Sequence, residues 1–329
     1  MGAQHPYRAV IPPVPEGIPR PLWSVMIPTY NCAAYLRETL TSVLLQDPGP
    51  DVMQIEVVDD HSTKDDPEAV VAEVGKGRVA FYRQSQHVGH TENFATCLRR
   101  SRGKLIHLLH GDDCVRDGFY RVMQQAFARQ PAIGAAFCRQ IFIDEHGHWQ
   151  GISPLEQQTS GVLENWLERL AVEQRIMTPS IVVRREVYEA LGGFDARLVC
   201  SEDWEMWVRI AARYPIWYEV EPLALYRMHF DSNTGRHIGT GEDISYTCQA
   251  IDIFTQYLPD DLAERVSRTA KETYALSALD MAYTMLARGD RRAVTAQIRA
   301  ALGCRRSLKV VRKLFSLLPC LGSRWVRSK

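Results

Sequence analysis

The chain has 329 residues, 46% hydrophobic and 24% charged, which is long enough for a full core plus an appendage and excludes disordered and collagen-like classes. Its 39 acidic and 39 basic side chains cancel, yet the last acid is Asp290 and eleven Lys or Arg follow it, so residues 1–290 carry 28 bases against 39 acids. An acidic body therefore carries a basic tail.

Residues 1–22 hold six prolines and read as an extended leader, lying over the surface or mobile. Ser24 to Pro28 predicts the first strand, closed by Thr29-Tyr30-Asn31. Asn31 is placed to cap a helix whose apolar positions Leu36, Leu40, Val43 and Leu44 share one face, and Asp47-Pro48-Gly49-Pro50 stops it. A second strand, Gln54 to Val58, delivers Asp59-Asp60 and a polar turn, followed by a short helix from Glu68 to Val74. Val79 to Tyr82 is a third strand, running through His87-Val88-Gly89 into a helix near Glu92 to Arg100. Leu105 to Leu109 is the fourth. Strand and helix alternating over short links is the doubly wound α/β pattern, here over roughly the first 130 residues.

Beyond Pro131 the strands lengthen, with Ala135 to Ile143 and a turn at Glu145-His146-Gly147. A helix from Glu164 to Val172, a strand at Ile181 to Val183 and a helix from Glu186 to Leu191 follow. Glu202-Asp203 then opens a helix with Trp204, Trp207, Val208 and Ala211 on one face. Residues 230–242 read as a mobile loop, and from Asp243 onward the periodicity is helical. Ser307 to Leu318 sets Leu308, Val311, Phe315 and Leu318 near one side, with Lys309, Arg312 and Lys313 elsewhere.

Eight cysteines are scattered without a Cys-x-x-Cys, the usage of buried thiols in a reducing compartment. No signal peptide and no apolar run of membrane-spanning length is visible.

Three acidic pairs stand out: Asp59-Asp60, Asp112-Asp113 and Glu202-Asp203. Like charges a few ångströms apart repel unless a cation or donors compensate them, so pairs at the ends of apolar strands predict a metal or polar-ligand cleft outside the carboxyl ends of the sheet. The ordinary alternatives are a turn cap for Asp59 or Asp60 and a macrodipole-favoured helix start for Glu202-Asp203. His107 and His110 do not suggest zinc, because in a strand they point to opposite faces, and packing is the expected fate of His107.

The segments Ser24-Val25-Met26-Ile27-Pro28-Thr29-Tyr30-Asn31, Val57-Val58-Asp59-Asp60-His61-Ser62, Gly111-Asp112-Asp113 and Glu202-Asp203, in this order, resemble the family 2 glycosyltransferases over about residues 22–232. That resemblance implies a GT-A fold: a Rossmann-like mixed α/β sheet flanked by helices, with an all-helical C-terminal extension. It divides the chain into leader (1–22), nucleotide-sugar-binding catalytic domain (23–232) and flexible loop plus helical region with basic tail (233–329). It implies an inverting, metal-dependent transferase taking a sugar from a nucleoside diphosphate to a glycan, lipid-linked or other surface-polymer acceptor.

By the same resemblance Pro28, Thr29, Tyr30, Asp59, Asp60 and Asp112 bind the nucleotide sugar. Asp113, with His229, holds Mn2+ or Mg2+, Asp203 is the base and Glu202 positions it. The chain departs from the family where an acid often precedes the Asp pair by two residues, since His110 stands there. The Gln-x-x-Arg-Trp signature of processive members is absent, which implies one sugar per encounter. Trp149, Trp166 and Thr178-Pro179-Ser180 are expected to shape the acceptor side, with Trp166 equally suited to the core. The expected location is the cytoplasm, with the basic tail either on an anionic membrane surface or packed on the body. No stacking aromatics interleave its charges, so nucleic acid is not expected as a partner. A non-catalytic nucleotide-sugar-binding scaffold is the alternative. A sugar nucleotidyltransferase is disfavoured because no Gly-rich phosphate loop follows the first strand.

Overall fold

The computed structural model describes residues 5–229 and 233–325, with 233–234 and 317–325 described through the backbone alone. These residues form two compact units, one of 5–166 and 175–228, the other of 167–174, 229 and 233–325.

The first unit is built on one mixed sheet. Its strands are β1 (Trp23–Thr29), β2 (Met53–Asp59), β3 (Ala80–Arg83), β4 (Leu105–Leu108), β5 (Cys114–Val115), β6 (Ala135–Ile143), β7 (Trp149–Ile152), β8 (Gly161–Val162), β9 (Ile181–Arg184) and β10 (Ile216–Arg227). The order is β3-β2-β1-β4-β9-β6-β10-β5, with β7 on β6 and β8 on β10. β3, β2, β1 and β4 run parallel, as the alternation predicts. The order reverses between β1 and β4, so their carboxyl ends flank the crevice where open α/β sheets bind ligands. β9 then enters antiparallel between β4 and β6.

The helices of this unit are α1 (Ala33–Leu44), α2 (Pro67–Gly75), α3 (His90–Arg100), α4 (Phe119–Arg129), α5 (Trp166–Val172, most of which belongs to the second unit), α6 (Arg185–Leu191) and α7 (Glu202–Ala211). Trp23, Val25 and Ile27 alternate onto a core filled by Leu36, Leu40 and Val43 of α1, Val71 of α2 and Phe119, Met123 and Phe127 of α4. Phe94 of α3, Tyr188 of α6, Phe194 and Trp207 of α7 make an aromatic cluster.

Several expectations change. Asn31 does not cap α1, where Cys32 holds that position without a side-chain bond. Asn31 is instead left-handed (φ 52°), which asparagine tolerates, and its Oδ1 accepts from Thr63 N and Lys64 N. The described leader residues are tied down: Ile11 is buried, Arg8 bridges Asp195, and Pro12 O accepts from Arg185 Nη2. Its first four residues lie outside the described ones. Trp166 belongs to the core, buried and stacked on Phe137, while Trp149 is exposed.

The second unit is helical, with α8 (Asn233–Ile238), α9 (Glu242–Phe254), α10 (Asp260–Ala287), α11 (Arg291–Cys304) and α12 (Leu308–Trp325). The expected loop over 230–242 is therefore mostly helix, and its residues 230–232 lie outside the described ones. Ala275, Ala278 and Ala301 let α10 and α11 approach closely around Leu279, Ile244 and Val310. Cys248 of α9 and Cys304 of α11 form a disulfide across 56 residues of sequence, which corrects the expectation of buried thiols throughout. Cys97, Cys114, Cys138 and Cys200 are buried thiols as expected, with Cys32 half-buried. Among the described residues no helix is long and apolar enough to cross a membrane.

Candidate active site

At the end of β1, Thr29 O accepts from Asp60 N (2.9 Å), and Asn31 N donates to Ser62 Oγ (2.8 Å), so the ends of β1 and β2 are stitched together. Asp59 and Asp60 are both buried and heavily bonded. Asp59 accepts from Ser62 N and Ser62 Oγ (2.5 Å), with Arg83 Nε 3.6 Å away. Asp60 takes Val88 N on Oδ1 (2.7 Å) and Gly89 N on Oδ2 (2.9 Å), with His87 Nδ1 2.8 Å from Oδ2. Gly89 adopts φ 85°, which a side chain would strain, and so presents its N–H to Asp60. Tyr30 stacks on His87 with ring centroids 4.3 Å apart, a flat surface of the kind a base uses.

The second acid pair sits on the loop after β4. Gly111 N donates to Pro28 O (3.1 Å), and a Cβ at Gly111 would lie 2.9 Å from Cys32 Sγ and 3.0 Å from Thr29 Oγ1. Only glycine lets this loop meet the end of β1 so closely. Arg227, the last residue of β10, fixes the loop from the other side: its N donates to Asp113 Oδ1 (2.8 Å), its Nε to Asp112 O (2.9 Å) and its Nη2 to Glu38 (2.6 Å). Asp113 is 1% exposed, and its Oδ2 has no hydrogen-bond partner. His110 Nδ1 lies 3.5 Å from that oxygen, and His110 Nε2 is likewise buried and without a partner. His110, Asp112 and Asp113 each offer a ligand atom within 4.8 Å of one another.

The third pair opens α7. Asp203 accepts from Trp204 N on Oδ1 (2.7 Å) and from Thr178 Oγ1 on Oδ2 (3.2 Å). Glu202 is held by His90 Nε2 at 3.1 Å. His90 directly follows the Val88-Gly89 pair that binds Asp60, so bonded contacts run unbroken from the β2 end to α7.

The electrostatics separate these acids. Burial, reinforced by Glu202, lifts the Asp203 carboxyl to about 7. Burial, reinforced by Asp112 and opposed by His110, lifts Asp113 to about 6. For His110, burial works against the charged ring, but Asp113, Asp112 and Asp203 outweigh it and raise the imidazole to about 9. His90 is raised in the same way, with Glu202 overcoming burial. Asp203 and Asp113 are thus both within electrostatic reach of His110.

Sequence reasoning named most of these groups but missed His90, Arg227 and Cys32. His90 opens a helix straight after a glycine, a signal that was available; Arg227 is recognisable only once β10 lies beside β6. His107 is structural as expected: its Nε2 lies 3.0 Å from Pro179 O, its Nδ1 3.2 Å from Tyr120 Oη, and burial depresses it to about 4. Because β4 ends at Leu108, His110 is a loop residue and the strand-alternation argument does not govern it. His229 begins the second unit, two residues beyond Arg227.

The sequence profile described as "Glycosyl transferase family 2" matches residues 24–192, just over half of the chain. The chain belongs to glycosyl transferase family 2. As a glycosyltransferase it is 29% identical over 237 residues to "Uncharacterized protein MT1568" of Mycobacterium tuberculosis, covering 68% of this chain and 73% of that one. It is 26% identical over 213 residues to "Uncharacterized glycosyltransferase MJ1057" of Methanocaldococcus jannaschii, covering 64% and 71%. Its fold matches S. aureus TarS 1–349 in complex with UDP-GlcNAc at a TM-score of 0.62 and 13% identity, covering 85% of this chain and 90% of that one. It also matches the mannosyltransferase PcManGT from Pyrobaculum calidifontis in complex with GDP-Man and Mn2+ (TM-score 0.58, 18% identity, 99% and 85% covered). At those identities the likeness concerns the fold alone, and that fold is GT-A. The family profile ends before Glu202, so the α7 acids are located by geometry.

Proposed function

We propose that this glycosyltransferase transfers one sugar per encounter from a nucleoside diphosphate sugar to a hydroxyl of a glycan, lipid-linked or other surface-polymer acceptor, inverting the anomeric centre. Residues 23–232 form the catalytic domain in this reading, and 233–329 the helical region. The observation that carries it is the buried Asp113 Oδ2, which accepts no hydrogen bond and has His110 Nδ1 3.5 Å away, clustered with His110 and Asp112, while His110 is in turn within electrostatic reach of Asp203. A buried carboxylate oxygen without a hydrogen bond is costly, and a divalent cation is a partner that would satisfy it.

The donor set, two carboxylates and an imidazole, fits Mn2+ or Mg2+, and His229 is the further ligand in this reading. When bound, the ion neutralises charge growing on the departing diphosphate. Asp112 and the β1 and β2 ends, with Pro28, Thr29, Tyr30, Asp59 and Asp60, hold the nucleotide. Asp60 does so with the lone pairs left after its loop contacts, beside the Tyr30–His87 stack. Asp203 receives the acceptor proton at a carboxylate that burial has made a better base, while Thr178 and Trp204 N hold it in place. Glu202, fastened by His90, positions it. Attack on the face opposite the departing diphosphate inverts the configuration. The complexes of TarS with UDP-GlcNAc and of PcManGT with GDP-Man and Mn2+ support a sugar-nucleotide donor and a divalent ion.

A thermal-shift panel of UDP, GDP and dTDP sugars, each with and without Mn2+, tests the donor half. One sugar nucleotide raising the melting temperature only with the metal supports the reading. No shift with any of them overturns it.

A further inference from the structure

The transfer chemistry leaves the second unit's last helix unexplained. α12 packs on α10 through Val310, fully buried beside Ala275, Ala278 and Leu279, and through Leu314. Two ion pairs on that side fix its rotation: Lys309 Nζ to Glu272 Oε2 (2.9 Å) and Lys313 Nζ to Asp280 Oδ2 (2.5 Å). The apolar residues of α12 are therefore split between two faces. Away from α10, Leu308 is 77% exposed and Phe315 64% exposed. Val311, half-buried, lies between them at the spacing that puts all three on one helical strip. Leu318, which the sequence adds to the same set, lies outside the residues whose side chains are described.

The charges carried by α12 and the segment before it have one sign, while the acids of α10 that face it, Glu272 and Asp280, are paired with Lys309 and Lys313. Arg306 and Arg312 are exposed beside it, and the 39 residues after Asp290 contain eleven Lys or Arg and no acid. A solvent-facing Leu and Phe on a helix of this charge fit a partner that is apolar and anionic together. A second copy of the chain supplies the apolar half only, because a two-fold contact brings the same basic face against itself. An anionic phospholipid bilayer supplies both halves: acyl chains for Leu308, Val311 and Phe315, and headgroup charge for the arginines.

We propose that the exposed strip of α12, centred on Leu308, Val311 and Phe315 and flanked by Arg306 and Arg312, docks the protein in-plane on an anionic phospholipid surface. The proposal goes beyond the transfer reading and does not depend on it, since docking is measured without donor or acceptor.

The full-length protein is sedimented with vesicles of phosphatidylcholine alone and of phosphatidylcholine with about one third phosphatidylglycerol, a strongly anionic surface. Binding is expected to the anionic vesicles only, and to be released near 1 M NaCl, where the screening length falls to about 3 Å. The double variant Leu308→Ser/Phe315→Ser alters exposed positions, so its helix content and melting temperature should match the parent. Its partition into anionic vesicles should fall about tenfold or more from the lost apolar insertion, and Arg306→Glu/Arg312→Glu should fall comparably. No pelleting with anionic vesicles overturns the proposal, as does pelleting that the Leu308/Phe315 variant leaves unchanged. A concentration-dependent dimer that the same variant dissolves, without vesicle binding, assigns the strip to a second copy and also overturns it.

Discussion

The two ends of the cleft hold the same kind of residue in opposite states. At the β2 end, Asp59 and Asp60 are buried and every carboxylate oxygen already has a donor or cation beside it. Around α7 and the β4 loop, Asp113 is equally buried, but its Oδ2 accepts no hydrogen bond and has only His110 Nδ1 nearby, 3.5 Å away, and Asp113 and Asp203 are both pushed up the pH scale. Burial alone therefore does not separate the two pairs; the bonds that each oxygen accepts do. In the proposed reading the first pair maintains loop geometry around a nucleotide, and the second retains free energy for an ion and a proton to recover.

Replacement of the underbonded acids should break this contrast most sharply. Asp203→Asn is expected to lower transfer by about 10²–10⁴-fold, the usual worth of a positioned base, in a radiolabelled or coupled transfer assay. The same variant should melt about 2–4 °C higher at pH 8 without metal, as expected for roughly 1 kcal/mol of relieved charge. Wild-type turnover by purified Asp203→Asn would sink the base assignment. Asp113→Asn should abolish the metal-dependent part of nucleotide-sugar binding by calorimetry while leaving the melting temperature near that of the parent.

The bonded pair should respond in the opposite order. Asp60→Ala strands Val88 N and Gly89 N, so chemical denaturation should report a loss of about 1–3 kcal/mol, larger than any effect on kcat. A variant that folds normally yet cannot turn over would move Asp60 into the other class.

The pH dependence sharpens the comparison further. Asp113 and Asp203 have folded values above the ordinary carboxylate value, so the unfolded chain ionises first and stability without metal falls between about pH 4 and 7. His110, raised to about 9, contributes stability below about pH 6.5 that is lost as the pH climbs through 9. Both slopes have the same sign, so melting temperature in EDTA should decline from mildly acidic to alkaline pH, and Mn2+ should flatten the curve. The smallest effect is proton release: Mn2+ titrated at pH 7 should displace the His110 proton, read calorimetrically as an enthalpy that changes with buffer.

Much of this was legible in the sequence because it is local. Apolar runs ending in Asp pairs predict parallel strands and a cleft at their carboxyl ends, and β1 to β4 are where they were expected. What escaped is set by distant pairing. β9 inserts antiparallel between β4 and β6, and β10 runs for twelve residues with a register break around Pro222; no periodicity announces either. Arg227 and the Cys248–Cys304 pairing were hidden for the same reason. The reading of Asn31 as a helix cap failed because two free backbone N–H groups in the neighbouring loop compete for its side chain. Thr178, expected only to shape the acceptor side, bonds directly to Asp203.

Gly111 sets a boundary for anyone redesigning this catalyst. Even one methyl there would press on the side chains of Cys32 and Thr29 and force them to shift where the loop after β4 meets the end of β1. Libraries aimed at a new sugar would do better to leave that junction untouched.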